Sequence, residues 1–245
     1  MRVYARTTAK AATPLHCAAM PATAFVMAAG RGERMRPLTD TTPKPLLPVR
    51  GRPLIEWHLQ ALARAGVREV VVNTAWLEAR FPESLGDGSR FGLRIRYSME
   101  GRDHGGALET AGGIAKALPW LAEAFWVVAG DVFLPGFAFD AALPPALDAL
   151  LWMVPNAAHH PQGDFAIGDD GLLLAGADAL ARERLTWASV GLFRRSLFDA
   201  IAPGTRMPLR PVLERGIAAR RAGGIRWQGD WTDVGTPERW AALQA

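Results

Sequence analysis

The sequence predicts an α/β protein: a single-domain, three-layer α/β/α sandwich with a mostly parallel, Rossmann-like mixed sheet. From Ala24 onward, short apolar runs alternate with amphipathic helical segments, which is the pattern of βαβ units. With 245 residues, of which 49% are hydrophobic, the chain can also bury one substantial core. We therefore expect one domain at residues 23–245, preceded at residues 1–22 by a disordered extension or a mis-assigned start.

Composition argues against several classes of protein. No apolar run reaches the roughly 18 residues of a membrane-spanning helix, so we expect no membrane partner. The single cysteine, Cys17, excludes an internal disulfide and a cysteine zinc cluster, which is typical of a cytoplasmic protein. Arg2, Arg6 and Lys10 lie in an acid-free stretch of 19 residues, and removing them from the 28 basic residues leaves 25 against 24 acidic ones. This balance predicts no nucleic-acid partner.

The first half of the chain predicts four strands and two helices. Residues 53–66 form a helix, because Leu54, Trp57, Ala61 and Ala65 share one face and Gly66 suits its C-cap. The run at 125–131 is the most hydrophobic of the strands, which favours the centre of the sheet. The other predicted segments are strands at 24–30, 69–76 and 93–99 and a helix at 108–121.

The second half predicts mixed strands and helices. We expect strands at 149–155 and 185–193, a hairpin at 164–176 that turns at Asp169 to Gly171, and helical segments at 194–201 and 210–224. A last helix at 236–245 has Thr236 as N-cap, Pro237 in its first position and Glu238 near its positive end. We expect no second domain after this helix.

The segment Met27 to Val49 follows the first strand and carries phosphate-binding character. Gly30 and Gly32 let the main chain approach an anion and present N–H groups to it. The segment matches neither well-known nucleotide loop, since Met35 replaces the third glycine of the dinucleotide pattern, and Glu33 and Arg34 replace the Walker residues.

In place of those two glycine patterns, the segment from Met27 to Val49 provides cationic side chains. Arg34 and Arg36 lie within it, and Lys44 stands between Pro43 and Pro45, which we expect to exclude helix and to position the ammonium group. Such a charge would suit a transferring phosphoryl group. A surface turn with scattered basic residues is the alternative.

Two aspartates complete a candidate metal site. Asp131 follows the strand at 125–131, and Asp233 precedes the last helix. Mg²⁺ is commonly held by one or two carboxylates together with substrate phosphates. Ordinary turn residues are the alternative for each aspartate taken alone.

The segments AAGRGERMRPLTDTTPKPLLPVRGRPLIEWHL, LETAGGI, AGD and WTDVGTPER together resemble the sugar-1-phosphate nucleotidyltransferases, and this resemblance extends from Phe25 to the last helix. It implies Mg²⁺-dependent transfer of a uridylyl group from UTP to a sugar 1-phosphate, with in-line displacement of pyrophosphate and no covalent intermediate. It also implies site residues: Ala29, Gly30, Gly32, Glu33, Arg34, Gly112, Gly113 and Ala129 for the nucleotide, Arg34 and Lys44 for catalysis, Gly163 and Asp164 for the sugar, and Asp131 and Asp233 for the metal.

The finer assignment within the family rests on GERMRPLT, LGDGSRFGLRIRYS, LETAGGI and the HH...GDF segment at His159 to Phe165. These segments resemble members acting on N-acetylmuramate α-1-phosphate in cell-wall recycling. The chain also departs from the family. The loop at 101–107 is long and glycine-rich, Ala129 replaces a frequent asparagine, and no Glu-Lys-Pro segment provides a lysine for the sugar phosphate, a role Arg210 could take. Another nucleotide or sugar, phosphocholine, or a non-catalytic nucleotide-sensing module are the alternatives; the sequence indicates no oligomeric state.

Overall fold

The computed structural model describes residues 20–244, so residues 1–19, most of the predicted extension, lie outside the described part. The strands are β1 Thr23–Met27, β2 Pro48–Val49, β3 Arg52–Pro53, β4 Glu69–Thr74, β5 Arg94–Met99, β6 Ala124–Ala129, β7 Val132–Phe133, β8 Ala149–Val154, β9 Phe165–Ile167, β10 Leu173–Leu174, β11 Arg184–Arg194, β12 Ala222–Arg226 and β13 Thr232–Asp233. The α-helices are α1 Leu54–Arg64, α2 Arg80–Leu85, α3 Glu100–His104, α4 Glu109–Ala117, α5 Leu209–Ala218 and α6 Pro237–Ala242. None of these helices has the length and apolar character needed to cross a membrane.

A nine-stranded mixed sheet forms the middle layer. Its order is β10-β9-β11-β6-β1-β4-β5, and β8 pairs with both β11 and β12. Strands β6, β1, β4 and β5 run parallel to one another, whereas β11 is antiparallel to β6. The carboxyl ends of β1, β4 and β6 therefore lie at one edge. Strand β6, predicted near the centre, lies between β1 and β11.

Helices cover both faces of the sheet, and the alternation of side chains along β1 shows this directly. Ala24 and Val26 pack in one core cluster with Leu59 and Leu62 of α1. Phe25 points the other way, into a cluster with residues of α4 and α5. Since consecutive strand residues face opposite sides, each face of the sheet has its own core. The predicted α/β sandwich is confirmed.

A third, smaller cluster lies under the segment that follows β1; we call it the C-terminal cluster. Its buried members are Met35, Leu47, Val49, Leu54, Phe133 and Val234, with Leu38, Trp57, Trp240 and Leu243 packed against them. Helix α6 joins this cluster through two bonds to the carbonyl of Pro48, from Trp240 Nε1 at 2.8 Å and Gln244 Nε2 at 2.9 Å. Thr236 caps α6 as predicted, because its hydroxyl accepts from the Arg239 N–H.

Four predicted elements differ from those observed. The segment at 194–201 contains only a 3₁₀ turn, Arg195–Leu197, and the predicted helix at 210–224 ends at Ala218, after which β12 pairs in parallel with β8. The predicted loop at 101–107 begins inside helix α3. Lys44, expected to be held out of helix by its prolines, starts a single 3₁₀ turn, Lys44–Leu46, because Pro45 fits the beginning of such a turn.

Candidate active site

A cavity of about 890 Å³ lies at the carboxyl ends of β1, β4 and β6. Its lining comes from the segment after β1, from Lys44 and Pro45, from residues 75–78 after β4, from residues 105–107 with Glu109 and Thr110, and from Ala129 and Asp131. Open α/β sheets bind ligands at this edge, where loops from parallel strands converge. The cavity is large enough for a nucleotide-sized molecule.

Residues 28–34 are called the phosphate loop here, and its residues 28–32 form the first wall of the cavity. Ala29, Gly30 and Gly32 line the cavity, as their predicted role requires. Gly32 has a φ of +68°, a conformation that favours glycine, and its carbonyl accepts from the Thr39 hydroxyl at 2.9 Å. Glu33 and Arg34 follow in an exposed 3₁₀ turn beside the cavity without being part of its lining.

Lys44 and Asp131 meet inside the cavity. The Lys44 ammonium donates to Asp131 Oδ2 at 2.5 Å, and the lysine side chain is only 11% exposed while the aspartate is 38% exposed. Both residues line the cavity. The structure thus places the predicted catalytic lysine directly on a predicted metal ligand, although 87 residues separate them in the sequence.

The main chains of the two predicted metal ligands are adjacent. Strand β13 pairs with β7, so that Asp233 lies opposite Val132, and the Val234 N–H donates to the Asp131 carbonyl at 2.9 Å. The Asp233 carboxylate pairs with the Arg239 guanidinium and lies 3.1 Å from His159 Nε2. Asp131 lines the cavity, whereas Asp233 stands behind it.

Asp131 and Asp233 supply two carboxylates on facing segments, and each is paired with a cationic side chain, Lys44 or Arg239. Within residues 20–244, no three carboxylate, imidazole or thiol groups come together to form a complete metal site. Mg²⁺ commonly takes only one or two carboxylates and completes its coordination with substrate phosphates and water. The residues present are therefore compatible with an ion that binds together with a nucleotide.

Gly112 and Gly113, predicted to contact the nucleotide, lie in α4 and do not line the cavity. A Cβ on Gly113 would lie 2.5 Å from Glu100 Oε1, and a Cβ on Gly112 would meet the carbonyl of Thr205. Close packing behind the cavity therefore requires glycine at both positions. Thr110, in the first turn of the same helix, does reach the cavity.

Gly163 and Asp164, the predicted sugar contacts, also lie outside the lining of the cavity. Asp164 Oδ2 accepts from the Trp187 N–H at 2.8 Å, and Arg184 donates to the carbonyls of both residues. Gly163 has a φ of +59°. These bonds connect the beginning of β9 to β11. Local structure therefore explains why a glycine stands at position 163 and an aspartate at position 164.

Several residues of the cavity were not predicted. The Arg31 guanidinium lies 4.5 Å from the ring centroid of Trp76, and both residues line the cavity. Asn73 also lines it, at the end of buried strand β4. The sequence pattern that could have identified them is a polar residue and an aromatic residue at the carboxyl end of an apolar strand.

His58 on α1 supports the segment after Asp131 from behind. The ring is buried, and its Nε2 lies 2.8 Å from the Val132 carbonyl. Burial lowers the pKa of His58 to about 4, so the ring is neutral near pH 7 and its Nε2–H donates to that carbonyl.

Comparison with known proteins identifies relatives over nearly the whole chain. A family model described as Nucleotidyl transferase matches residues 23–148. The N-acetylmuramate alpha-1-phosphate uridylyltransferase of Neisseria meningitidis serogroup B is 46% identical over 91% of this chain and 96% of its own. The protein of the same name from Caulobacter vibrioides is 32% identical over 92% and 96%. The crystal structure of HddC from Yersinia pseudotuberculosis has the same fold, with a TM-score of 0.71, 16% identity, and coverage of 90% and 97%.

Proposed function

The chain belongs to the nucleotidyl transferase family, and from that premise we propose that it transfers a uridylyl group from UTP to a sugar 1-phosphate and releases pyrophosphate. We propose N-acetylmuramate α-1-phosphate as the sugar substrate and peptidoglycan recycling, in the cytoplasm, as the setting. The names of two relatives, aligned over 91% and 92% of this chain, support this choice.

The observation that carries the proposal is the meeting of Lys44 with Asp131 beside the phosphate loop, inside a cavity at the carboxyl edge of the sheet. Nucleotidyl transfer requires positive charge at the α-phosphate and carboxylates for a divalent cation.

The reaction is one in-line displacement at phosphorus. An oxygen of the sugar phosphate attacks the α-phosphorus of UTP, the new P–O bond forms, and the bond between the α-phosphorus and the pyrophosphate oxygen breaks. The attacking oxygen is already anionic, so the step needs no general base. Catalysis then consists of positioning the two reactants and stabilising negative charge.

The chain's cationic side chains divide this task in our proposal. Lys44 neutralises charge on the α-phosphate and on the incoming sugar phosphate, because its ammonium projects into the cavity. Arg34, exposed at the end of the phosphate loop, neutralises the departing pyrophosphate. Asp131 and Asp233 would hold Mg²⁺, which supplies further positive charge at the phosphates when bound.

Backbone groups bind the nucleotide in this proposal. Ala29, Gly30 and Gly32 present the phosphate loop to the triphosphate, with Glu33 alongside, and Ala129 lies at the end of β6. Gly112 and Gly113 keep α4 close behind the site and thus act through packing. Gly163 and Asp164 remain candidates for the sugar, and such a contact requires their β9 segment to approach the cavity when the sugar binds.

The test is release of pyrophosphate in the presence of Mg²⁺, with UTP, dTTP, CTP, ATP and GTP each paired with the 1-phosphates of N-acetylmuramate, N-acetylglucosamine, glucose and mannose. We expect release with UTP and N-acetylmuramate α-1-phosphate. Release with another pair would replace the substrates and keep the reaction. No release with any pair, or with phosphocholine as acceptor, would overturn the proposal and favour a nucleotide-sensing module.

A further inference from the structure

A buried carboxylate that the proposed mechanism does not use lies between the two walls of the cavity. Glu100 starts α3 and is 0% exposed. Its Oε1 accepts from Asn73 Nδ2 at 2.8 Å, and its Oε2 accepts from the Leu108 N–H at 2.8 Å. Leu108 is buried within the segment 105–110, whose other residues line the second wall of the cavity.

Asn73 continues this chain of bonds to the phosphate loop. Its Oδ1 accepts from the N–H of Ala28, the first residue of that loop, at 2.7 Å. Three hydrogen bonds thus connect Ala28, Asn73, Glu100 and Leu108 in series. They run from one wall of the cavity to the other, and Asn73 itself lines the cavity.

Gly113 packs directly against this network. A Cβ on Gly113 would lie 2.5 Å from Glu100 Oε1 and 2.9 Å from Asn73 Nδ2, so no side chain fits there. The charged and titratable groups facing Glu100 are those of Lys116 and His104. Lys116 donates to Asp103 and to the Met99 carbonyl, and not to Glu100, so the carboxylate depends on Asn73 and Leu108 for its hydrogen bonds.

We infer that Asn73 and Glu100 form a positioning pair that sets the separation between the phosphate loop and the wall at residues 105–110, and thereby the affinity for the nucleoside triphosphate. Neither residue takes part in the chemistry, and the inference rests on the proposed nucleotide site. A fixed separation matters because the triphosphate contacts one wall while the rest of the nucleotide extends toward the other. Buried networks in which every polar group is satisfied can hold such a geometry.

The two side chains allow a test by exchange of donor and acceptor. Asn73→Asp alone places a second carboxylate against Glu100. Glu100→Gln alone places the new NH₂ group either against the NH₂ group of Asn73 or against the Leu108 N–H, which then has no acceptor. The double variant restores all three bonds. The new carboxylate at position 73 accepts from Ala28 and from the new amide at position 100, whose oxygen accepts from Leu108.

The experiment measures UTP affinity by calorimetry and the melting temperature of the full chain for wild type, both single variants and the double variant, with the exposed Glu83→Gln as matched control. Hydrogen exchange of the Ala28 and Leu108 amides is followed in the free proteins. We expect each single variant to weaken UTP binding about 10-fold and to speed both exchange rates, and the double variant to recover both. Glu83→Gln should match wild type.

Two results would overturn the inference. One is a lower melting temperature in the single variants with unchanged UTP affinity, because the network would then be only structural. The other is a double variant that binds UTP no better than the weaker single variant. Failure of the proposed function is seen separately, as a wild-type protein that neither binds UTP nor releases pyrophosphate.

Discussion

Among individual residues, Lys44 and Asp131 define the site most sharply. The lysine was predicted from its two flanking prolines, and the aspartate from its place at the end of a strand. Their ion pair, at 2.5 Å, is shielded because the lysine side chain is only 11% exposed. Loss of either partner leaves a charge without its counterion in a partly dry cavity, so their substitutions should have distinct and measurable effects.

Lys44→Ala is expected to lower kcat by about 100-fold or more, because removing a preorganised positive group from a charge-stabilising site typically has that effect. The KM for UTP should change less, since the phosphate-loop backbone is intact. Steady-state kinetics measure both, and Arg80→Ala on the surface of α2 is the control. Unchanged kcat would show that Lys44 does not act on the reacting phosphate.

Asp131→Asn should abolish Mg²⁺-dependent turnover while the protein stays folded. The amide retains the size of the carboxylate but lacks the charge that a divalent cation requires. Titration of Mn²⁺, followed by its electron paramagnetic resonance in the presence of UTP, should show weaker binding. A variant that is fully active and binds Mn²⁺ normally would remove Asp131 from the metal site.

His58 predicts a pH dependence of stability. Its pKa is about 4 in the folded protein and 6.5 in the unfolded chain, so the unfolded chain binds more protons between these values. The free energy of unfolding should therefore fall as the pH is lowered from about 6.5 to 4, by roughly 3 kcal/mol in total. Urea unfolding of wild type and His58→Gln across this range measures the effect; the same slope in both proteins would contradict it.

Among the elements, those with strong local signals were predicted and those defined by distant partners were not. Helix α1 and the cap of α6 follow from periodicity and from Thr236, which act within a few residues. The beginning of strand β12 was predicted as the end of the helix at 210–224. A Cβ on Gly224 would lie 2.6 Å from Leu173, so the glycine is required by a neighbouring strand, and the sequence pattern does not show such a contact.

The residues of the candidate site also fall into a group that was predicted and a group that was not. The phosphate loop, Lys44 and Asp131 were predicted from residues next to strand ends, and the structure places Ala29, Gly30, Gly32, Lys44 and Asp131 at one cavity. Asn73 and Glu100 were not predicted as site residues, because their role depends on a hydrogen bond between positions 27 residues apart in the sequence. A buried glutamate at the end of an amphipathic strand resembles a surface residue until its partners are known.

Helix α4 offers a test of packing behind the site. Gly113→Ala should displace the Glu100 carboxylate, lower the free energy of unfolding by about 1–3 kcal/mol, and weaken UTP binding. Gly136→Ala is the matched control, because a Cβ there would meet no atom within 4 Å. Thermal unfolding and calorimetry measure both effects. A Gly113→Ala protein as stable and as tightly binding as the control would show that α4 adjusts freely.

For the whole molecule, the cavity joins segments that belong to separate strands and to both core layers. A ligand that binds only the folded state stabilises it, by about 2.7 kcal/mol at 100 times its dissociation constant. For a domain of this size, UTP at that concentration should raise the melting temperature by roughly 5–10 °C. Differential scanning fluorimetry measures the shift, with cytidine as a ligand that lacks phosphates. Equal shifts with both compounds would argue against phosphate recognition.

The bonds from Trp240 and Gln244 to the Pro48 carbonyl connect positions 192 and 196 residues apart. Ribosomes release a chain from its amino terminus, so the phosphate loop emerges long before α6 and Asp233. The C-terminal cluster beneath that loop cannot close until these late residues arrive. A nascent chain consequently carries its phosphate-binding segment without the packing of the C-terminal cluster until α6 has emerged.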